Sequence, residues 1–139
     1  MRTFREFLEQ GLVKKRRADE ARARNLLDGA ERRKKVMEKY LPLNAETAVK
    51  IIEESYDIIR EILEAKLSCD GYKSYSHEAV ISYLTELGFS KDEVLFVDRL
   101  REIRNGTKYY GKEVGEEYAK MVRDFLNKIY FRLVKVASD

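Results

Sequence analysis

The residues best suited to chemistry lie together in the stretch 104–111, which reads Arg-Asn-Gly-Thr-Lys-Tyr-Tyr-Gly. A connection between two helices needs only a turn, and an Asn-Gly pair supplies one. The stretch contains more than a turn, namely Arg104, Lys108, Tyr109 and Tyr110. Cationic side chains grip phosphate, and tyrosines stack on bases and donate O–H hydrogen bonds. The stretch therefore predicts a binding site for a nucleotide or RNA.

The sequence lacks the residues and motifs of most other kinds of catalytic site. It contains no glycine-rich phosphate loop, no HExxH motif and no nucleophile elbow. The single histidine, His77, falls at a predicted helix start, where a polar residue has a structural role, and the single cysteine, Cys69, has no disulfide partner within the chain. We expect neither a metal ion nor a cofactor.

Positive charge is concentrated at the N-terminal end of the chain. Residues 1–40 contain 13 Lys or Arg against 7 Asp or Glu, whereas the rest of the chain is net negative. Two basic runs, 14–17 and 32–35, cause this asymmetry. Such runs are typical of the solvated face of a helix, and the alternative is a surface that attracts phosphate backbones.

The sequence is typical of one globular domain over residues 1–139. The composition is 44% hydrophobic and 38% charged, and no apolar run approaches the length of a membrane span. The first residues lack the apolar core of a signal peptide. We therefore expect a single cytoplasmic domain without membrane contact.

Hydrophobic spacing predicts helices throughout. A short amphipathic helix is expected near Phe4, followed by helices over about 13–40, 47–67, 79–87, 90–103 and 113–136. The expected boundaries are Asn44 as an N-cap, a stop at Asp70-Gly71, Ser74 or Ser76 as a cap, and a Ser90–Glu93 capping box. No segment alternates like a strand, so no β-sheet is expected. The fold class is all-α, an up-and-down bundle of four main helices plus a short N-terminal helix.

Two of these helices have informative apolar faces. The helix over 47–67 is apolar on two sides, which predicts a position in the middle of the bundle. In the last helix the apolar face is expected to contain Val114, Tyr118, Met121, Phe125, Ile129 and Leu133.

Between the last two main helices, the chain resembles the HEPN domain family. That family has an Arg, followed by Asn or Asp, and then a His after four to six residues, and Arg104-Asn105 stands at the corresponding place here. Tyr56, Gly71 and the Ser76-His77-Glu78 helix start also resemble family features, so the likeness covers roughly residues 44–135. The resemblance implies a homodimer with Arg104 of each subunit near a shared groove, and Asn105 among the binding residues.

The chain departs from the family pattern at the motif histidine. Tyr109 occupies that position, and an unperturbed phenol titrates near about 10, whereas a histidine titrates near about 6.5. In members that cleave RNA without a metal, the resemblance assigns proton transfer to the His and the phosphate to the Arg. We therefore expect a nucleotide- or RNA-binding protein with weakened or lost ribonuclease activity.

Two alternatives remain open from the sequence. The first is a ribonuclease toxin, a metal-independent endoribonuclease with a degenerate motif, in which Arg104 and Tyr109 are the catalytic residues. The second is the partner subunit of a minimal nucleotidyltransferase in a toxin–antitoxin pair. In such pairs the resemblance implies adenylylation of a tyrosine just past the motif His, for which Tyr110 is an approximate candidate.

Overall fold

The computed structural model describes residues 1–106 and 114–139. In these two ranges the elements are α1 (Phe4–Glu9), β1 (Val13–Lys15), α2 (Glu20–Tyr40), α3 (Ala48–Asp70), β2 (Tyr72–Ser74), α4 (His77–Glu86), α5 (Lys91–Arg104) and α6 (Glu116–Ser138). The protein is thus an all-α helical bundle, as predicted, with α2, α3, α5 and α6 as its longer helices. None of the helices described in these ranges is both long and apolar enough to cross a membrane.

The central position predicted for the helix over 47–67 is confirmed. Helix α3 contacts α2, α4, α5 and α6, and its side chains at Ile52, Ile59 and Ile62 are fully buried. Helix α2 runs antiparallel to α3, since Arg22 contacts Ser68 near one end and Met37 contacts Ser55 near the other. Burial on two sides makes α3 the element on which the rest of the bundle packs.

Local capping chemistry sets several helix ends as predicted. The hydroxyl of Ser90 accepts from the backbone N–H of Glu93, whose carboxylate accepts from the N–H of Ser90, so α5 begins with a capping box. The hydroxyl of Ser76 accepts from the N–H of Ala79 at the start of α4. Gly71 ends α3 in the left-handed conformation, with φ of 82°.

The prediction that Asn44 is the N-cap of α3 was wrong, because this helix begins one turn later, at Ala48. The Asn44 side-chain oxygen accepts from the N–H groups of Glu46 and Thr47, which closes the turn before α3. Thr47 itself is the N-cap residue, without a side-chain capping bond.

The prediction of no β-sheet was wrong, as was the prediction of one helix from residue 13. Val13–Lys15 pairs antiparallel with Tyr72–Ser74, Val13 opposite Ser74. Helix α2 begins only at Glu20, where the carboxylate of Asp19 accepts from the N–H of Arg22. Strands of three residues are too short to show alternation, and pairing between distant segments determines their formation.

The apolar face predicted for the last helix was partly wrong. Ile129 and Leu133 are buried, but Met121 is 56% exposed. The buried stripe instead repeats through small and branched residues, Ala119, Val122, Leu126, Ile129, Leu133 and Ala137. Compact side chains let α6 approach α3 closely, and the bulkier aromatic ring of Phe125 lies at the edge against Phe96.

Candidate functional site

Arg104 is the last residue of α5, and its direction follows from how that helix packs. Val97, Leu100 and Ile103 are buried against the core. The chain leaves the helix at Asn105 and turns at Gly106, whose φ is 83°, so the predicted Asn-Gly turn is confirmed. The Arg104 side chain remains 43% exposed beside α3.

Two carboxylates of α3 lie next to the Arg104 guanidinium. Its Nε is 3.4 Å from Oδ1 of Asp57, and its Nη1 is 3.8 Å from Oε2 of Glu53. Glu53 and Asp57 are one helical turn apart and therefore share a face of α3. They contact one side of the guanidinium, and part of the side chain remains exposed.

Asp57 is the centre of a wider charged cluster. The residue is only 5% exposed, and three arginines approach its carboxylate. Nη1 of Arg33 and Nη2 of Arg60 each lie 3.7 Å from a carboxylate oxygen, in addition to the 3.4 Å contact with Arg104. The charges of the three guanidinium groups offset the cost of burying this carboxylate.

Two glutamates at the edge of this cluster, Glu54 and Glu61, both form ion pairs with Arg33. Arg33 lies 2.9 Å from Glu54 and 2.8 Å from Glu61. Burial raises the pKa of Glu54, but hydrogen bonds from Lys50 and Arg33 outweigh it and lower that pKa overall. At Glu61, burial is the larger effect and raises the pKa, with the charge of Arg33 opposing it. The positive charge of Arg33 is therefore balanced by carboxylates within the protein.

His77 and Tyr56 lie within electrostatic range of the same cluster. Partial desolvation lowers the pKa of the exposed His77, and the charge of Arg60 lowers it further. The Tyr56 ring is fully buried, and its hydroxyl has no hydrogen-bond partner among the described residues. Burial is also the main reason that the pKa of Tyr56 is raised. His77 is the first residue of α4, which agrees with its predicted place at a helix start.

The structure locates part of the predicted site. It places Arg104 and Asn105 at the end of α5, as expected, whereas Lys108, Tyr109 and Tyr110 lie outside the described residues. It adds residues that the sequence interpretation missed, Glu53, Asp57 and Arg60 on α3. Charged residues spaced three and four apart on an otherwise apolar helix were the available signal.

In the two described ranges, no group of three or more His, Cys, Asp or Glu is placed to hold a metal ion. Compared with models of protein families, with curated proteins and with solved structures, the chain has no match. The fold and site thus define a class by physical features alone: a helical bundle in which a partly exposed arginine is anchored by carboxylates of the central helix.

Proposed function

We propose that the protein is a HEPN-like nucleotide- or RNA-binding homodimer in which Arg104 contacts a phosphate. The observation that carries the proposal is that the nearly buried Asp57 anchors the guanidinium of Arg104, whose side chain is 43% exposed. An arginine held on one side loses less conformational entropy on binding, and its remaining N–H groups can face a phosphate. Asp57 would then be a positioning residue. Lys108, Tyr109 and Tyr110 complete the proposed site.

Arg104→Ala is expected to weaken binding of a fluorescein-labelled oligouridylate or of AMP by about 1 to 3 kcal/mol, because a charge-assisted contact is lost. This corresponds to roughly 5- to 150-fold in Kd, measurable by fluorescence anisotropy or calorimetry. The helical circular dichroism signal should not change, since the side chain is partly exposed.

Arg5→Ala is the matched control. It removes the same charge from an exposed pair with Glu9 on α1 and should leave Kd unchanged. Equal Kd values for the Arg104→Ala, Arg5→Ala and unaltered proteins would refute a phosphate contact at Arg104.

Substitutions at residue 109 separate binding from the alternative of cleavage. Under the proposal, the unaltered protein cleaves a labelled RNA slowly or not at all, and Tyr109→His creates or increases cleavage because an imidazole transfers protons efficiently near neutral pH. If the protein instead cleaves RNA and Tyr109→Phe abolishes that cleavage, the ribonuclease alternative replaces the proposal.

A further inference from the structure

The basic run at residues 14–17 does not lie on a helix. Lys14 and Lys15 are in β1, and Arg16 and Arg17 follow it in the connection to α2. Opposite them, Lys73 is in β2, paired with Lys14 across the strands. We call Lys14, Lys15, Arg16, Arg17, Arg22, Lys73 and Tyr75 together the basic surface.

Part of the basic surface lines an open cavity of about 360 Å³. Arg16, Arg17, Arg22 and Lys73 line it. The one acidic residue among its lining residues is Asp19, whose carboxylate accepts from the first turn of α2 as its cap. The cavity is therefore strongly positive and open to an anion.

Backbone hydrogen bonds fix this surface to the end of α3. The N–H of Arg16 donates to the carbonyl of Gly71 at 2.8 Å, and the N–H of Asp19 donates to the carbonyl of Ser68 at 2.9 Å. The N–H of Tyr75 donates to the carbonyl of Leu12, also at 2.8 Å. The cationic side chains thus project from a backbone that is already ordered, which lowers the entropic cost of binding.

The charges of the basic surface are not cancelled, in contrast to the second basic run. Lys34 and Lys35 on α2 pair with Glu38 and Glu31. Arg17 and Lys73 are exposed and form no ion pair with any residue that the structure describes. This difference distinguishes the basic surface from an ordinary solvated helix face.

Three further cations of the surface contact neutral groups, and none of the three forms an ion pair with a residue that the structure describes. Arg16 donates to the Tyr75 hydroxyl at 2.9 Å, and Arg22 donates to the hydroxyl of Ser68. The Tyr75 ring is 55% exposed and lies beside Lys14, whose Nζ is 5.8 Å from the ring centroid. Proteins bind single-stranded nucleic acids with this combination of an exposed aromatic ring and cations. The bases stack on the ring, and the cations neutralise the phosphates.

We infer that the basic surface binds the phosphate backbone of single-stranded nucleic acid, with Tyr75 as a stacking platform for a base. This site is distinct from the one at Arg104. Gly71 follows Asp57 by 14 positions along α3, and at 1.5 Å per residue this is a separation of about 20 Å. The inference does not depend on any phosphate contact by Arg104.

The double variant Arg17→Ala/Lys73→Ala tests the inference without disturbing the fold, because neither side chain has a charged partner among the residues that the structure describes. Each phosphate contact with a single strand contributes about 0.7 to the slope of log K against log salt. Losing two contacts should reduce the slope by about 1.4. Between about 50 and 200 mM salt, the unaltered protein should then lose about sevenfold more affinity than the variant for an oligouridylate of about 12 nucleotides.

Lys34→Ala/Lys35→Ala is the matched control, since it removes two charges that are already paired. Its salt slope should equal that of the unaltered protein. Equal slopes for both double variants would overturn the inference. A polyglutamate peptide that binds as tightly as the oligouridylate would overturn it in favour of an acidic protein partner.

Two further variants separate this inference from the proposed function. Tyr75→Leu should weaken oligouridylate binding but not the binding of inorganic polyphosphate, which has no bases to stack; equal weakening of both would refute the stacking role.

The slope difference of the Arg17→Ala/Lys73→Ala variant should persist in an Arg104→Ala background. Failure at Arg104 alone would refute the proposed function and leave the basic surface intact.

Discussion

Asp57→Ala is expected to lower the free energy of unfolding by about 3 to 5 kcal/mol, the range for removing one partner of a buried ionic cluster. The carboxylate is nearly inaccessible to water, and Arg33, Arg60 and Arg104 all approach it. Without it, the three guanidinium groups lose the carboxylate that they share and keep only partners at the edge of the cluster, such as Glu54 and Glu61 for Arg33. Two of them, Arg33 and Arg60, also have a buried Nε without a hydrogen-bond partner in the described part of the chain.

Denaturant unfolding followed by circular dichroism measures this effect, with Asp124→Ala as the matched control. Asp124 pairs with Lys120 on the exposed side of α6, so its loss should cost under about 1 kcal/mol. Asp57→Asn keeps the shape and removes the charge, and should fall between the two. A cost for Asp57→Ala no larger than that for Asp124→Ala would show that the cluster is not held together by this carboxylate.

The elements that could be predicted from the sequence are those specified by neighbouring residues. The capping box at Ser90 and the stop at Gly71 follow from hydrogen bonds or φ values within one turn. The central position of α3 follows from an apolar repeat on two sides of a helix. These features depend on residues that are close in sequence, so a local pattern contains the information.

Features determined by distant parts of the chain could not be predicted in the same way. Lys14 and Lys15 form a strand because residues 72–74 run past them after the turn at Gly71, and nothing near Lys14 in sequence indicates this. For the same reason, the sequence did not indicate which residue contacts Arg104. Asp57 is 47 positions away and reaches the guanidinium only through the packing of α5 on α3.

The turn at Gly71 joins the fold to the basic surface, and it is sensitive to a single methyl group. Gly71 has a φ of 82°, and a Cβ added there would lie 2.9 Å from the backbone oxygen of Arg16. A left-handed conformation costs a residue with a Cβ roughly 1 to 2 kcal/mol. The close approach adds an overpacking cost of about 1 to 3 kcal/mol, because the obstructing atom belongs to a backbone that cannot rotate away.

Gly71→Ala is therefore expected to lower the free energy of unfolding by about 2 to 5 kcal/mol in total. Gly88→Ala is the matched control, since Gly88 has a φ of 88° but open space where the methyl group would go. It should cost only the conformational part, about 1 to 2 kcal/mol. Denaturant unfolding of both variants then isolates the contact with Arg16 as the difference between them. Equal costs would mean that the segment after β1 moves aside freely, which contradicts the fixed backbone on which the basic surface depends.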